Sequence, residues 1–248
     1  MKKTLIGLFF YLLMLPVLAR ETITIVYSWT AADGPANYSR SLIEEANHQQ
    51  NKYNFIFDTK PGAGGALAAN YVKNTPNTIL ATASAFFVRP NFYPNESYDL
   101  SAFKEMYLQC IAPMAITATK YKTWADVPKD RPITIGVSGS GTTTHLFAAQ
   151  LQSRYPQLTV IPFKSTSESL LSVAAGNTDL HVAFLGEVDG WKDRGLKVLG
   201  ISGPTQIQGF STLAGQGFNK STADISVPFH LVVPATMSDT KDRKSTRL

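Results

Sequence analysis

The sequence predicts an α/β protein of two lobes, each a doubly wound, mostly parallel sheet. Three observations carry that expectation. Stretches rich in β-branched and aromatic residues recur along the chain and alternate with amphipathic stretches of helical period. Two Gly/Ser-rich turns, at 60–70 and 136–146, each lead from such a strand into a helix. Segments near 99–103 and 202–206 join the two sets of elements. The chain therefore crosses between lobes at least twice, which is the connectivity of a hinge.

Residues 1–19 begin with Lys2 and Lys3, continue as an apolar run from Leu5 to Leu15, and end on Val17-Leu18-Ala19. That is the pattern of a cleaved secretory leader. The run is too short for a membrane span, and no stop-transfer flank follows. The mature chain is expected to be soluble and exported. The formal net charge of +5 resides at the ends of the chain. Lys2 and Lys3 lie in the leader, and 241–248 carries Lys241, Arg243, Lys244 and Arg247 against Asp242. The body between is neutral, so no nucleic-acid partner is expected. Cys110 is the single cysteine. It can form no internal disulfide, and near Leu108 and Ile111 it reads as a small buried hydrophobe.

The first lobe opens on a strand at 22–26, marked by alternation and β-branching. A loop at 27–35 holds Trp29 and Asp33-Gly34-Pro35, and 37–50 is an amphipathic helix with Leu42, Ile43 and Ala46 on one side. A strand at 55–58, the first glycine turn and a helix at 67–73 follow. A third strand at 78–82 runs into Ala83-Ser84-Ala85. Ligands of such sheets bind beyond the carboxyl ends of the strands, so Trp29, Gly64, Gly65 and Ser84 are expected on one rim.

The second lobe begins with strands at 106–111 and 114–118, read as separated by Pro113. A short helix at 124–128 precedes the strand at Ile133. Helix 145–154, strand 159–163, helix 167–175 stopped by Gly176, and strands 179–184 and 197–201 complete it. The expected division is a leader at 1–19, lobe 1 from 20–103 and 207–240, lobe 2 at 104–206, and a disordered or non-native tail at 241–248. No internal repeat or low-complexity tract interrupts the plan.

The two glycine turns carry the chemistry. A turn that opens a helix leaves its first N–H groups unpaired, and the helix dipole adds positive potential there, so the two together favour an anion. Two such turns imply one anion held between the lobes. The bland alternative is a pair of tight packing turns. Lys164 reads either as a solvated charge or as a clamp, and His145 either as cap packing or as a pocket edge. His48, His181 and His230 lack metal-ligand spacing, so no metal and no cofactor are expected. Gly136-Val137-Ser138-Gly139-Ser140 fails the G-x-S-x-G elbow at its last position, which argues against a secreted hydrolase. No Gly-Lys-Ser/Thr follows either turn, which removes the P-loop.

These residues also carry a family resemblance. Pro61-Gly62-Ala63-Gly64-Gly65 with Pro76-Asn77-Thr78-Ile79-Leu80 resembles the PGAGG…PDGYTLL pattern of Bug-type receptors. Those are the extracytoplasmic solute-binding proteins of tripartite tricarboxylate transporters. Tyr98 to Phe103 is similar to their YDP-x-x-DF segment, and Gly139 to Leu146 to their GxGS-x-x-HL turn. Ile161-Pro162-Phe163-Lys164 resembles VPYKG, 175–180 resembles GG-x-VDL, and 211–218 resembles PTLAE-x-G. The likeness runs from about 23 to 234 in order and spacing.

The resemblance implies a two-lobed type II periplasmic-binding-protein fold that closes on a small carboxylate. It implies a periplasmic receptor that is no enzyme and hands a di- or tricarboxylate, or a related organic acid, to the membrane permease subunits of a transporter. A monomer is expected. A receptor signalling to a membrane sensor kinase is the alternative. In the family, backbone amides and hydroxyls of the facing loops hold the carboxylate. The implied ligand residues are Trp29, Asn37, Gly64, Gly65, Ser84, Ala85, Ser140, Gly141, Thr142, Thr143, Lys164 and Ser165. The chain departs from the pattern where the family reads PPGGPTD and this sequence has Trp29 to Asn37, with Asn37 in place of a frequent Asp. Ser165 replaces the glycine after the lysine. Relatives continue past Val232-Val233-Pro234 with helical sequence, so the polar 241–248 is read as a truncated or read-through end.

Overall fold

The computed structural model describes residues 20–31, 33–95 and 98–237. The leader and the 241–248 tail lie outside the described residues. The first lobe is built on β1 (Glu21–Tyr27), β2 (Tyr53–Thr59) and β3 (Thr78–Ala83), which pair in parallel in the order β2-β1-β3. Helix α1 (Gly34–Gln49) joins β1 to β2, and α2 (Ala66–Asn74) joins β2 to β3. The sequence reading starts α1 after Pro35; the observed helix begins at Gly34 and uses Pro35 in its first turn, where a missing N–H costs no bond.

Helix α3 (Ala85–Phe92) follows β3 and has no counterpart in the sequence reading. Pro90 disguises it, because proline inside a helix removes one N–H and orphans the carbonyl four residues before it. That carbonyl belongs to Phe86, and the Tyr98 hydroxyl donates to it at 2.5 Å. Burial raises the Tyr98 pKa, which keeps that donor protonated.

The expected break at Pro113 is absent. β4 (Phe103–Ala118) runs unbroken through it and changes partners there. Residues from Phe103 to Pro113 pair antiparallel with β9 (Ser226–Pro234), which also pairs antiparallel with β3. From Met114 the strand pairs antiparallel with β7 (Leu180–Phe184) on one side and β8 (Lys197–Ile201) on the other. Pro113 sits at the end of the β9 ladder, opposite Ser226, where a missing donor is tolerated. Ser202 meets the crossing point: its N–H donates to the Met114 carbonyl and its hydroxyl accepts from the Met114 N–H, both at 2.8 Å.

In the second lobe, β5 (Ile133–Val137) pairs in parallel with β6 (Leu158–Pro162) and β7. Helices α4 (Thr143–Arg154) and α5 (Thr166–Ala174) follow β5 and β6, and the short α6 (Leu185–Val188) follows β7. The two-lobed α/β class is the one expected, but the pairing is mixed. Parallel strands lie toward the outer edges, and antiparallel β4 and β9 lie at the junction. The partner change at Pro113–Met114 comes after the 103/104 boundary read from sequence. Residues beyond the 206/207 boundary still pack on the second lobe: the Leu213 N–H donates to the Ile201 carbonyl, and the Phe218 ring packs at a tilt against Trp124. The chain rejoins the first sheet only at β9, past the short helix α7 (Lys220–Ala223).

Candidate functional site

Loops at the carboxyl ends of β1, β2, β5 and β6 face each other across a cleft of about 500 Å³. The first lobe contributes Trp29, Asp33, the turn 61–65, Arg89 of α3 and Tyr93 just after it; the second contributes 138–140, Thr142 and 163–166. The volume suits a small-molecule ligand. A groove of about 280 Å³ beside α1 is walled by Leu42, Ile43, Ile79 and Leu231 and lacks converging charges. The interlobe cleft has them.

The glycine turn is built as a chain of left-handed residues: Gly62, Ala63, Gly64 and Gly65 all have positive φ, from 46° to 132°. A Cβ on Gly64 or on Gly141 would collide with Nη1 of Arg89. The two glycines thus leave the gap that the guanidinium fills between the lobes. Arg89 is 3% exposed, stacks over Tyr93 at 4.2 Å and donates Nη1 to the Ser140 carbonyl at 3.2 Å. It is the charged cleft residue that the sequence reading missed, because it lies in the helix that Pro90 concealed. The available signal was its position, five residues beyond Ser84.

Several amides expected to face an anion already have acceptors. Gly65 N–H donates to the Gly62 carbonyl at 3.0 Å, and Gly139 N–H to the Val137 carbonyl at 3.1 Å. Gly141 N–H donates to His145 Nδ1 at 3.1 Å, which ties His145 to the turn. Burial lowers the His145 pKa, keeping the ring neutral and its Nδ1 an acceptor. Ala85 N–H donates across the cleft to Thr143 Oγ1 at 3.3 Å, and Lys164 N–H to Glu168 at 3.0 Å. Thr142 and Ser165 cap α4 and α5 by accepting from His145 N–H and Glu168 N–H.

Of the residues read from sequence, Trp29, Gly64, Gly65, Ser140, Thr142, Lys164 and Ser165 line the cleft together. Gly141 sits beneath Arg89, Thr143 lines a deeper void of about 20 Å³, and Ser84 immediately precedes α3, of which Ala85 is the first residue, without a side-chain capping bond. Asn37 lies apart. It is exposed on α1 and accepts from Arg40 at 2.8 Å. Trp29 is half-buried and packs edge-on against Tyr27 and Phe229. Among the other histidines, His181 is fully buried and bonded to Ser169 at 2.7 Å, and His230 pairs with Glu105 at 2.7 Å. Cys110 is half-buried. Among the described residues no group of His, Cys, Asp and Glu is arranged to hold a metal, and no helix is long and apolar enough to cross a membrane.

Comparison with known proteins places this geometry. The model of the tripartite tricarboxylate transporter family receptor matches residues 39–246. The periplasmic binding protein BugD superposes with a TM-score of 0.81 at 19% identity, over 90% of this chain and 80% of that one. Rpa4515 of R. palustris, solved with adipate, gives 0.79 at 20% identity, over 91% and 80%. MatC (Rpa3494) from Rhodopseudomonas palustris, solved with bound malate, gives 0.77 at 16% identity, over 92% and 82%. At these identities the structural likeness shows the two-lobed fold. A comparison with curated protein sequences finds no match.

Proposed function

This chain belongs to the tripartite tricarboxylate transporter receptor family, and from that premise we propose that it is a periplasmic receptor capturing a small organic acid in its interlobe cleft. The captured acid is delivered to the permease subunits of a transporter, and no bond of the ligand is broken. The cleaved leader at 1–19 carries the chain to the periplasm. The observation that supports the reading is the composition of the cleft: Arg89 and Lys164 outnumber its one acid, Asp33, in a wall made mostly of glycines, hydroxyls and aromatic rings.

The mechanism follows from those groups. A guanidinium presents a planar fork of donors to a carboxylate, and such charge-assisted bonds are roughly twice as strong as neutral ones. Arg89 supplies that fork between the two lobes, so a carboxylate bonded to it touches both. The glycines of the 62–65 turn and Gly141 let backbone and ligand approach without Cβ atoms. The hydroxyls of Ser140, Thr142 and Ser165 complete the polar wall, with Trp29 against the hydrocarbon part. Closure removes water and strengthens each of these contacts.

The test is native mass spectrometry of the purified protein, followed by thermal-shift titration with mono-, di- and tricarboxylates and their uncharged amides. The expected result is a bound organic acid and stabilisation by one carboxylate class but not by its amide. Equal stabilisation by acid and amide, or by neither, overturns the reading.

A further inference from the structure

Behind the cleft, a contact spans the lobes that ligand capture does not require. The Gly34 N–H, at the start of α1 in the first lobe, donates to Glu187 Oε1 of α6 in the second lobe at 3.3 Å. The other oxygen, Oε2, accepts from the Phe184 N–H at 3.0 Å. The approach is close enough that a Cβ on Gly34 would stand 2.7 Å from Glu187 Cγ and 3.5 Å from its backbone nitrogen. Glu187 is buried, and so is Asp33, whose own carboxyl accepts from the Thr30 N–H at 3.0 Å and the Thr30 hydroxyl at 2.9 Å. The Thr166 hydroxyl of α5 faces both carboxyl groups.

We propose that Glu187 is a proton-operated latch between the lobes: its protonated carboxyl holds the first turn of α1, and loss of the proton to solvent releases the closed state. The reason is the shortage of compensating charge. The charged group facing Glu187 is Asp33 beside α1; Tyr27 on β1 lies near both carboxyls and has Cys110 on β4 and Arg40 on α1 around it in turn. Arg40 is directed elsewhere, to Asn37 and to the Ala31 carbonyl. Two carboxyls that face each other out of water share a proton rather than both ionise. Burial, then the Asp33 charge, pushes the Glu187 pKa up to about 8, against amide bonds that pull it down. Opening the cleft returns Glu187 to water and to the ordinary carboxyl range.

The sign follows. The closed state binds one more proton than the open state between the ordinary carboxyl range and about pH 8. Its population relative to the open state therefore falls as pH rises through that window. One proton gives at most about a tenfold change in the closing constant per pH unit.

The experiment is small-angle scattering of protein dialysed free of co-purified ligand, from acidic to mildly alkaline pH, on the parent chain, Glu187→Gln and Gly34→Ala. No ligand enters the measurement, so its outcome leaves the carboxylate reading untouched. The parent is expected to expand as pH rises, and Glu187→Gln to keep one radius throughout. Gly34→Ala changes no titratable group, yet wedges the contact. It is expected to stay open at every pH with undiminished helical circular dichroism. A parent radius that ignores pH, a Glu187→Gln profile that follows the parent, or a Gly34→Ala variant as compact as the parent overturns the latch.

Discussion

At the scale of single residues, the site turns on which group carries positive charge into the cleft. The sequence made both glycine turns legible, since Gly64, Gly65 and Gly141 all adopt positive φ where other residues are strained. It did not reveal what those glycines make room for. Arg89 is buried, yet it reaches the gap between the turns from a helix of its own, so no local motif announces it. Glu187 was equally hidden, because an acid between Gly186 and Val188 carries no pattern until the fold brings α1 against it. The prediction belongs here. Arg89→Gln keeps a planar donor but removes the charge-assisted fork, worth about 1.5–3 kcal/mol, so affinity for the carboxylate should fall roughly 10- to 150-fold. Lys164→Ala should cost less, because Lys164 is exposed and acts as a screened point charge. Isothermal titration of both variants decides the order, and an Arg89→Gln variant that binds like the parent removes Arg89 from the site.

At the scale of elements, most of the chain was readable because strand alternation and helical period are local signals. The strands β1, β2, β3, β5, β6, β7 and β8 lie where β-branching put them, within a residue or two. Strand β9 and the short helices α6 and α7 were not read at all; two further misreadings involve proline, and both have a tertiary cause. Pro113 reads as a strand break, but it stands where β4 leaves one ladder for another and its missing N–H deprives no partner. Pro90 hides α3 from a reading of the sequence, but a distant hydroxyl satisfies the carbonyl it orphans. That compensation is testable by a cycle. Tyr98→Phe keeps the ring stacked on Phe86, with centroids 4.6 Å apart, and strips the hydroxyl. A buried carbonyl left without a donor costs about 1–3 kcal/mol. Pro90→Ala restores an N–H four residues after Phe86, so Tyr98→Phe should cost much less in that background. Urea denaturation of the four proteins measures it, and an equal cost in both backgrounds refutes the compensation.

At the scale of the whole molecule, hydrogen bonds that join the lobes among the described residues are long. Arg89 to the Ser140 carbonyl is 3.2 Å, Ala85 N–H to Thr143 is 3.3 Å, and Gly34 N–H to Glu187 is 3.3 Å. A neutral bond of this kind contributes roughly 0.5–1.5 kcal/mol, and one from a charged donor such as Arg89 about 1.5–3 kcal/mol, amounts comparable to the swing of a single titrating group. Closure is thus poised, and an acid bonded to both lobes adds the free energy that decides it. The junction of the lobes was legible only as a count of crossings. Its place depends on β4 changing partners at Pro113, which no local signal encodes. At a ligand concentration of one hundred times Kd, binding should stabilise the folded protein by about 2.7 kcal/mol, raising Tm by roughly 5–10 °C for a chain of this size. Scattering above about pH 8, where the Glu187 carboxyl is ionised and the latch released, should give the largest ligand-induced fall in radius. At acidic pH, where the latch already favours closure, the fall should shrink while the rise in Tm persists. A rise in Tm with no change of radius at either pH would mean that the acid binds a cleft already closed, and the hinge would have no part in capture.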